Sequence, residues 1–261
     1  MSALQAGKRI YAIGDIHGYL DALKVMQDLI FEDLEASKID PKNKKNDVSI
    51  VYLGDYIDRG PASFGVMEDL MAQRDIVDGI NRVFICGNHD LILKDFKPGY
   101  PIAASLMWFK YGGLNTLKSY GFDVNDAMDL PEIEQLQAEF RNAIPKTHRD
   151  FIKSMPFSHI EDDYLFAHAG IDPHKSLLDQ GQDDFTLIRE PFLSWEKNLD
   201  KRVVHGHTIS EQPAILPHRI GIDVGIYKHA RLGCVILEED AHRFIYAPTA
   251  CKGYYDPKSS E

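Results

Sequence analysis

An α/β fold is predicted for this chain on two observations. Five short apolar runs, RIYAI (9–13), VSIVYL (48–53), RVFIC (82–86), YLFA (164–167) and RVV (202–204), each lead into a cluster of glycine with histidine, aspartate or asparagine. Between the early runs lie segments with apolar residues at helical spacing. Runs this short and rich in β-formers read as buried strands. Strand–helix–strand alternation implies right-handed βαβ units and a mostly parallel sheet.

The elements follow in order. The first run enters GDIHG (14–18), and the next segment places Leu20, Leu23, Met26, Leu29, Ile30 and Leu34 on one helix face. A polar loop spans 36–47. The second run enters GDYIDRG (54–60), after which Pro61 suits a helix start for PASFGVMEDLMAQR. The third run enters GNHD (87–90). Residues 94–160 carry helical patterns and no strong strand until residue 164, so they read as a helical insertion covering one end of the sheet. Within them Trp108 and Tyr111, at helical spacing, read as core. The C-terminal runs RIGIDVG, RLGCVILEE and HRFIYAP suggest a more antiparallel second half. The whole of 1–261 reads as a single domain, with 253–261 a loose tail.

Composition narrows the class. The chain is 44% hydrophobic and 26% charged, with a formal net charge of −11. Its only dense basic stretch, KNKK (42–45), reads as a solvated loop, so no nucleic-acid partner is expected. No apolar run is long enough to cross a bilayer, and MSALQAGKRI lacks the apolar core of a signal peptide. No membrane association and a cytoplasmic location are the expectations. Cys86, Cys234 and Cys251 form no CxxC pair and read as reduced packing residues.

The clusters carry the chemistry. In an open α/β sheet, ligands gather at the carboxyl ends of strands. Aspartate, histidine and asparagine collect there, without cysteine. Such a mixed oxygen and imidazole set suits Mn²⁺, Fe or Zn²⁺, and one carboxylate can bridge two ions about 3.5–4 Å apart. Singly, each residue has a plainer reading: a strand-end histidine such as His168 is most often structural, Asp15 could cap a helix near Tyr19, and Asn88 could sit in a tight turn. Their joint occurrence after successive strands favours a metal site.

The ordered set D-x-H-G, G-D-x-x-D-R-G, G-N-H-D, H-A-G and H-G-H-T, spanning 15–208, resembles the phosphoprotein phosphatase family, a branch of the calcineurin-like metallophosphoesterases. WFKYGGLNTLKSYG and IREPFLSW are similar to bacterial serine/threonine protein phosphatases. The resemblance implies a sandwich of two mixed β-sheets flanked by helices, with two divalent transition metal ions, Mn²⁺ first and Fe or Zn²⁺ as alternatives. Asp15 and His17 would hold one ion, Asp55 would bridge, and Asn88, His168 and His207 would hold the other. A metal-bridging hydroxide would attack phosphorus directly. His89 would act as general acid, held by Asp58, and Arg59 and Arg189 would grip the phosphate. Two departures stand out. The family's usual Glu after the acid is Asp90 here, which can shift a neighbouring contact. Ile209 follows HGHT, so no GHxH histidine is present and His205 is not expected to be a ligand.

The expected function is a metal-dependent phosphomonoesterase, first of all a serine/threonine protein phosphatase acting on a phosphorylated protein. The alternative is a dinucleoside polyphosphate hydrolase acting on a nucleotide such as diadenosine tetraphosphate, although the symmetrical hydrolases are expected to carry Ala at the Asp58 position. A non-catalytic metal-binding scaffold would predict loss of a ligand or of His89, and none is missing.

Overall fold

A computed structural model describes residues 3–43 and 46–251. The supposed tail at 253–261, and Lys44 and Lys45 of the basic loop, lie outside them. Strand alternation divides the core. In β1 (Lys8–Ile13) the side chains of Tyr11 and Ile13 join one apolar cluster, while Ile10 and Ala12 join another. This is the period of two that a strand buried on both faces must show.

The first cluster lies under helices. Helix α1 (Leu20–Ala36) follows β1 and buries Leu23, Met26, Ile30 and Leu34, with Leu20 and Leu29 at the margins of that face. Next come β2 (Asp47–Tyr52), α2 (Ser63–Arg74) and β3 (Ile80–Phe84). Helix α2 begins two residues after Pro61. Both β1–β2 and β2–β3 pair in parallel, as the βαβ reading requires.

Then α3 (Asn88–Asp95), α4 (Ile102–Trp108), a π-helical turn (Phe109–Gly113), α5 (Leu114–Ser119), α6 (Leu130–Ala143) and α7 (Lys146–Ser154) complete the helical side. The π turn breaks the expected continuous helix: Tyr111 and Gly112 leave helical geometry, with Gly112 at φ 103. Its consequence is a correction. Trp108 is buried, as expected, but Tyr111 is 44% exposed, because the kink turns it out of the packed face.

The second sheet starts earlier than the sequence suggested. Strand β4 (Ser158–Glu161) precedes β5 (Tyr164–Ala167) and pairs antiparallel with it. Its burial is only partial, so its apolar signal is weak. After α8 (Gln182–Thr186) come β6 (Arg202–His205), β7 (Ala214–Ile215) and β8 (Arg219–Gly221), then α9 (Ile226–His229), β9 (Arg231–Glu238) and β10 (Ala241–Pro248). Among the described residues the sheets have the orders β10-β9-β1-β2-β3 and β4-β5-β6-β8-β7. Both are mixed. The expected antiparallel half holds for β7, β9 and β10, but β8 runs parallel to β6.

Between the sheets, Ile10, Val51, Leu53, Phe166, Val204 and Val235 interdigitate. A third cluster, including Leu165, Phe185 and Phe192, covers the outer face of the second sheet. The architecture is therefore helix, sheet, sheet, covering layer, with three parallel strands in each sheet, β1-β2-β3 and β5-β6-β8.

At one of those ends His205 is fully buried and uses both ring nitrogens. Nδ1–H donates to Gly206 O at 3.0 Å, and Nε2 accepts from Arg219 Nη1 at 3.2 Å. Burial, with the Arg219 charge beside the ring, pushes its pKa down to about 3.

Two predictions follow from the packing. Gly112→Ala would force a side chain to φ 103, with its Cβ 2.5 Å from Arg59 N. It is expected to cost about 1–3 kcal/mol, read as a lowered urea midpoint. Native His205 stays neutral where the unfolded chain takes up a proton, so stability falls as pH drops below about 6.5, by up to about 1.4 kcal/mol per pH unit. Urea titrations at about pH 7 and about pH 5 should show the wild type losing more stability than His205→Gln. Equal losses would show that His205 titrates freely in the native state.

Candidate metal centre and active site

The strand ends supply the side chains. Asp15 and His17 follow β1, Asp55 follows β2, Asn88 and His89 open α3 after β3, His168 follows β5 and His207 follows β6. Short buried strands carry the chain to one edge, and turns then aim these side chains at one another. Five of them or their neighbours sit in left-handed backbone: His17 (φ 47), Asp55 (φ 51), Asp58 (φ 73), Arg59 (φ 67) and His207 (φ 60). Each such residue costs of order 1–3 kcal/mol. Clustered strain of this kind belongs to functional sites.

Asp55 is the hub. Its Oδ2 lies 3.4 Å from His168 Nε2, 3.7 Å from His17 Nε2 and 3.9 Å from His89 Nε2. Its Oδ1 accepts from His89 N at 2.9 Å. The imidazoles are fixed from behind. His17 Nδ1–H donates to Ile57 O and His168 Nδ1–H to Leu53 O, both at 2.9 Å. That choice of tautomer leaves both Nε2 lone pairs facing the hub. His168 Nε2 also lies 3.0 Å from Asn88 Oδ1, and the His168 and His207 rings are 5.0 Å apart.

The electrostatics are those of a site short of positive charge. Asp15, Asp55 and Asp223 are each at most 3% exposed, and none has a lysine or arginine ion-pair partner among the described residues. Burial, reinforced by the Asp223 charge, holds the Asp15 carboxyl well above the ordinary range. Burial would raise Asp55 too, but His168 and His89 outweigh it and hold it well below. Burial opposes a proton on His168, yet the Asp55 charge pushes its pKa up to about 10. Burial and the His168 charge push His207 down to about 3.

This donor set fits metal. Donor atoms of His17, Asp55 and His89 lie within 4.8 Å of one another, as do those of Asp55, His168 and His207. The shared carboxylate and the imidazole-rich, thiolate-free set suit two divalent ions. Asp15 belongs to neither triad. Its carboxylate accepts from His207 N at 3.1–3.2 Å, and Gly206 is required there because a Cβ would lie 2.0 Å from Asp15 Oδ1. Asp15 is therefore not the cap of α1 that its position allowed.

Beside the hub, His89 Nδ1–H donates to Asp58 Oδ2 at 2.5 Å. Asp58 is fully buried and takes further bonds from Trp108 Nε1 (2.8 Å to Oδ2) and Thr116 Oγ1 (2.6 Å to Oδ1). Arg59 Nη2 donates to His89 Nε2 at 3.3 Å. Arg189 is exposed at the rim, where Nη1 donates to Thr208 Oγ1 at 3.2 Å, next to His207.

Asp90 does more than mark a departure from Glu. Its oxygens accept from the backbone N–H of Asp55 (2.9 Å), Gly87 (2.8 Å) and Tyr56 (2.8 Å). Burial, aided by the Asp55 charge, pushes its carboxyl up to about 7 against those donors. It ties the second and third strand-end turns together.

Three contributors escaped the sequence reading. Asp223, after β8, repeats the pattern of an aspartate ending a short apolar run before a glycine, and that signal could have found it. Its Oδ1 accepts from Gly225 N at 2.8 Å. Thr116 carried no signal, and the indole N–H of Trp108 was hidden by an apolar reading of the residue.

A family profile described as calcineurin-like phosphoesterase matches residues 8–225. The asymmetrical bis(5'-nucleosyl)-tetraphosphatase of Oceanobacillus iheyensis is 28% identical over 233 residues, 83% of this chain and 84% of that one. A crystal structure provisionally described as a diadenosine tetraphosphatase superposes with a TM-score of 0.60 at 20% identity, covering 95% of this chain and 99% of that one. A protein serine/threonine phosphatase from Saccharomyces cerevisiae superposes with a TM-score of 0.55 at 15% identity, covering 97% and 84%. At those identities the two structures speak for the fold alone, and the fold agrees with the predicted sandwich. With the profile spanning every strand-end cluster up to Asp223, this chain belongs to the calcineurin-like phosphoesterase family and is a metallophosphoesterase hydrolase.

Proposed function

We propose that the chain hydrolyses dinucleoside polyphosphates, with diadenosine tetraphosphate as the representative substrate. The observation that carries this reading is the similarity to an asymmetrical bis(5'-nucleosyl)-tetraphosphatase over more than four-fifths of both chains. It moves the dinucleotide reading ahead of the phosphoprotein reading to which the motifs first pointed. Protein serine/threonine phosphatase activity remains the second reading, favoured by the Asp58–His89 pair with Arg59 beside it.

In either case the centre would work alike. Asp15, His17 and Asp55 would hold one divalent ion, and Asp55, Asn88, His168 and His207 the other. Bound there, two such ions supply Lewis acidity and bring the pKa of water towards neutrality. Arg59 and Arg189 bind phosphate oxygens as planar donors. His89 gives a proton from Nε2 to the leaving oxygen, while Asp58 accepts from Nδ1–H and fixes the ring. Arg59 donates to that same Nε2 in the absence of substrate. A phosphate oxygen that takes over this Nη2–H bond, with the guanidinium in place, frees Nε2 to carry the proton that His89 gives.

His89 also lies within reach of a metal triad, so its role has to be tested apart from metal holding. His89→Asn is expected to lower turnover about 10²–10⁴-fold with metal content unchanged. Loss of metal in that variant would make His89 a ligand. Thr116→Val removes a donor to Asp58 and is expected to lower turnover roughly tenfold. The substrate class is decided by rates with Mn²⁺ on diadenosine tetraphosphate and on a phosphoserine peptide, side by side. Faster dinucleotide hydrolysis supports the proposal. Faster peptide hydrolysis replaces it with the second reading.

A further inference from the structure

Arg59 is pinned along its length by segments remote from its own turn. Its backbone N donates to Gly112 O at 3.2 Å, and its carbonyl accepts from Asn115 Nδ2 at 2.6 Å. At the other end, the guanidinium carbon lies 4.1 Å from the centroid of the Tyr227 ring. The half-buried Tyr227 also meets the His17 ring nearly perpendicularly, with centroids 5.8 Å apart. Tyr227 comes from α9, a turn held between left-handed Gly225 (φ 67) and Ala230 (φ 53). It lies outside every motif read above.

We infer that Tyr227 is a positioning residue, whose ring holds the Arg59 guanidinium in the pose that faces His89 and the phosphate site. A ring face attracts a guanidinium stacked over it, more so where water is partly excluded. That attraction has a competitor. The Asp223 carboxylate, which follows β8, lies close enough for the Arg59 charge to favour its ionised form. A long arginine released from the ring would swing among other poses, that carboxylate among its partners. Pinned at both ends, Arg59 instead meets an incoming phosphate with its donors already arranged, which spares the ordering cost at the moment of binding. This holding is assigned to the ring face.

The inference rests on the phosphate-binding role proposed for Arg59, and the test keeps the two apart. Inorganic phosphate is titrated calorimetrically into Mn²⁺-equilibrated full-length protein. The variants are Tyr227→Leu, Tyr227→Phe, Arg59→Ala and the Tyr227→Leu/Arg59→Ala pair, with thermal melting to verify folding. Tyr227→Leu is expected to weaken phosphate binding roughly 3- to 10-fold, Tyr227→Phe to stay near wild type, and Tyr227→Leu to add nothing in the Arg59→Ala background. Equal loss from Tyr227→Leu in both backgrounds, or no loss with Arg59 present, would overturn the positioning role. So would a Tyr227→Phe loss as large as that of Leu. Unchanged affinity in Arg59→Ala would instead remove the phosphate role of Arg59 itself. Should Tyr227→Leu fail to fold, Tyr227→Met carries the same comparison.

Discussion

Carboxylates buried side by side, without lysine or arginine ion-pair partners among the described residues, are the constraint on which this structure turns. Removing a carboxylate from water costs several kcal/mol even after relaxation, and Asp15, Asp55 and Asp223 are all buried, near enough for their charges to act on one another. The fold answers with oriented backbone. His207 N–H points at Asp15, His89 N–H at Asp55 and Gly225 N–H at Asp223. Those donors exist only if the turns after the strands adopt the observed path, left-handed residues included. The strain at His17, Asp55 and His207 and the charge of the site are thus two sides of one requirement, and cations complete what the N–H groups begin.

The helical segment after β3 serves the same centre from outside. Residues there lend an indole N–H and a hydroxyl to Asp58, and a carbonyl and an amide to the backbone of Arg59. The kink at Tyr111 and Gly112 lets one stretch of chain do both. A straight helix would keep its carbonyls for itself. The placement of Arg59 and the alignment of His89 through Asp58 therefore draw on one segment, and changes there touch both.

Much of this was legible in the sequence because the physics was local. Short β-branched runs ending in glycine-rich polar turns are strand ends wherever they occur, and the residues they project lie together because parallel strands bring their carboxyl ends to one edge. The doubly buried strands, the helix face of α1 and the meeting of Asp15, His17, Asp55, Asn88, His168 and His207 all follow. What stayed hidden depends on distant pairing. Strand β4 is too exposed to show an apolar run. Tyr111 obeys a helical period that a tertiary contact with Arg59 breaks. Thr116 is an ordinary helix residue until Asp58 arrives beside it. The choice between substrates was not legible for a similar reason: the metal chemistry is written in the motifs, while the organic half of a substrate meets surfaces without a motif.

Strand β9 carries a consequence for synthesis. It fills the edge of β1, although the two are far apart in sequence. A ribosome-bound chain that ends before residue 231 has a central strand without one neighbour, a row of open N–H and C=O groups beside an apolar face. Such an edge is a template for mispairing, and contacts of long sequence separation close slowly. The β9–β10 hairpin is therefore the seal on β1. Until it docks, Asp223 and Tyr227, which lie just ahead of it, lack the strand that anchors their turn, and the centre waits for that hairpin.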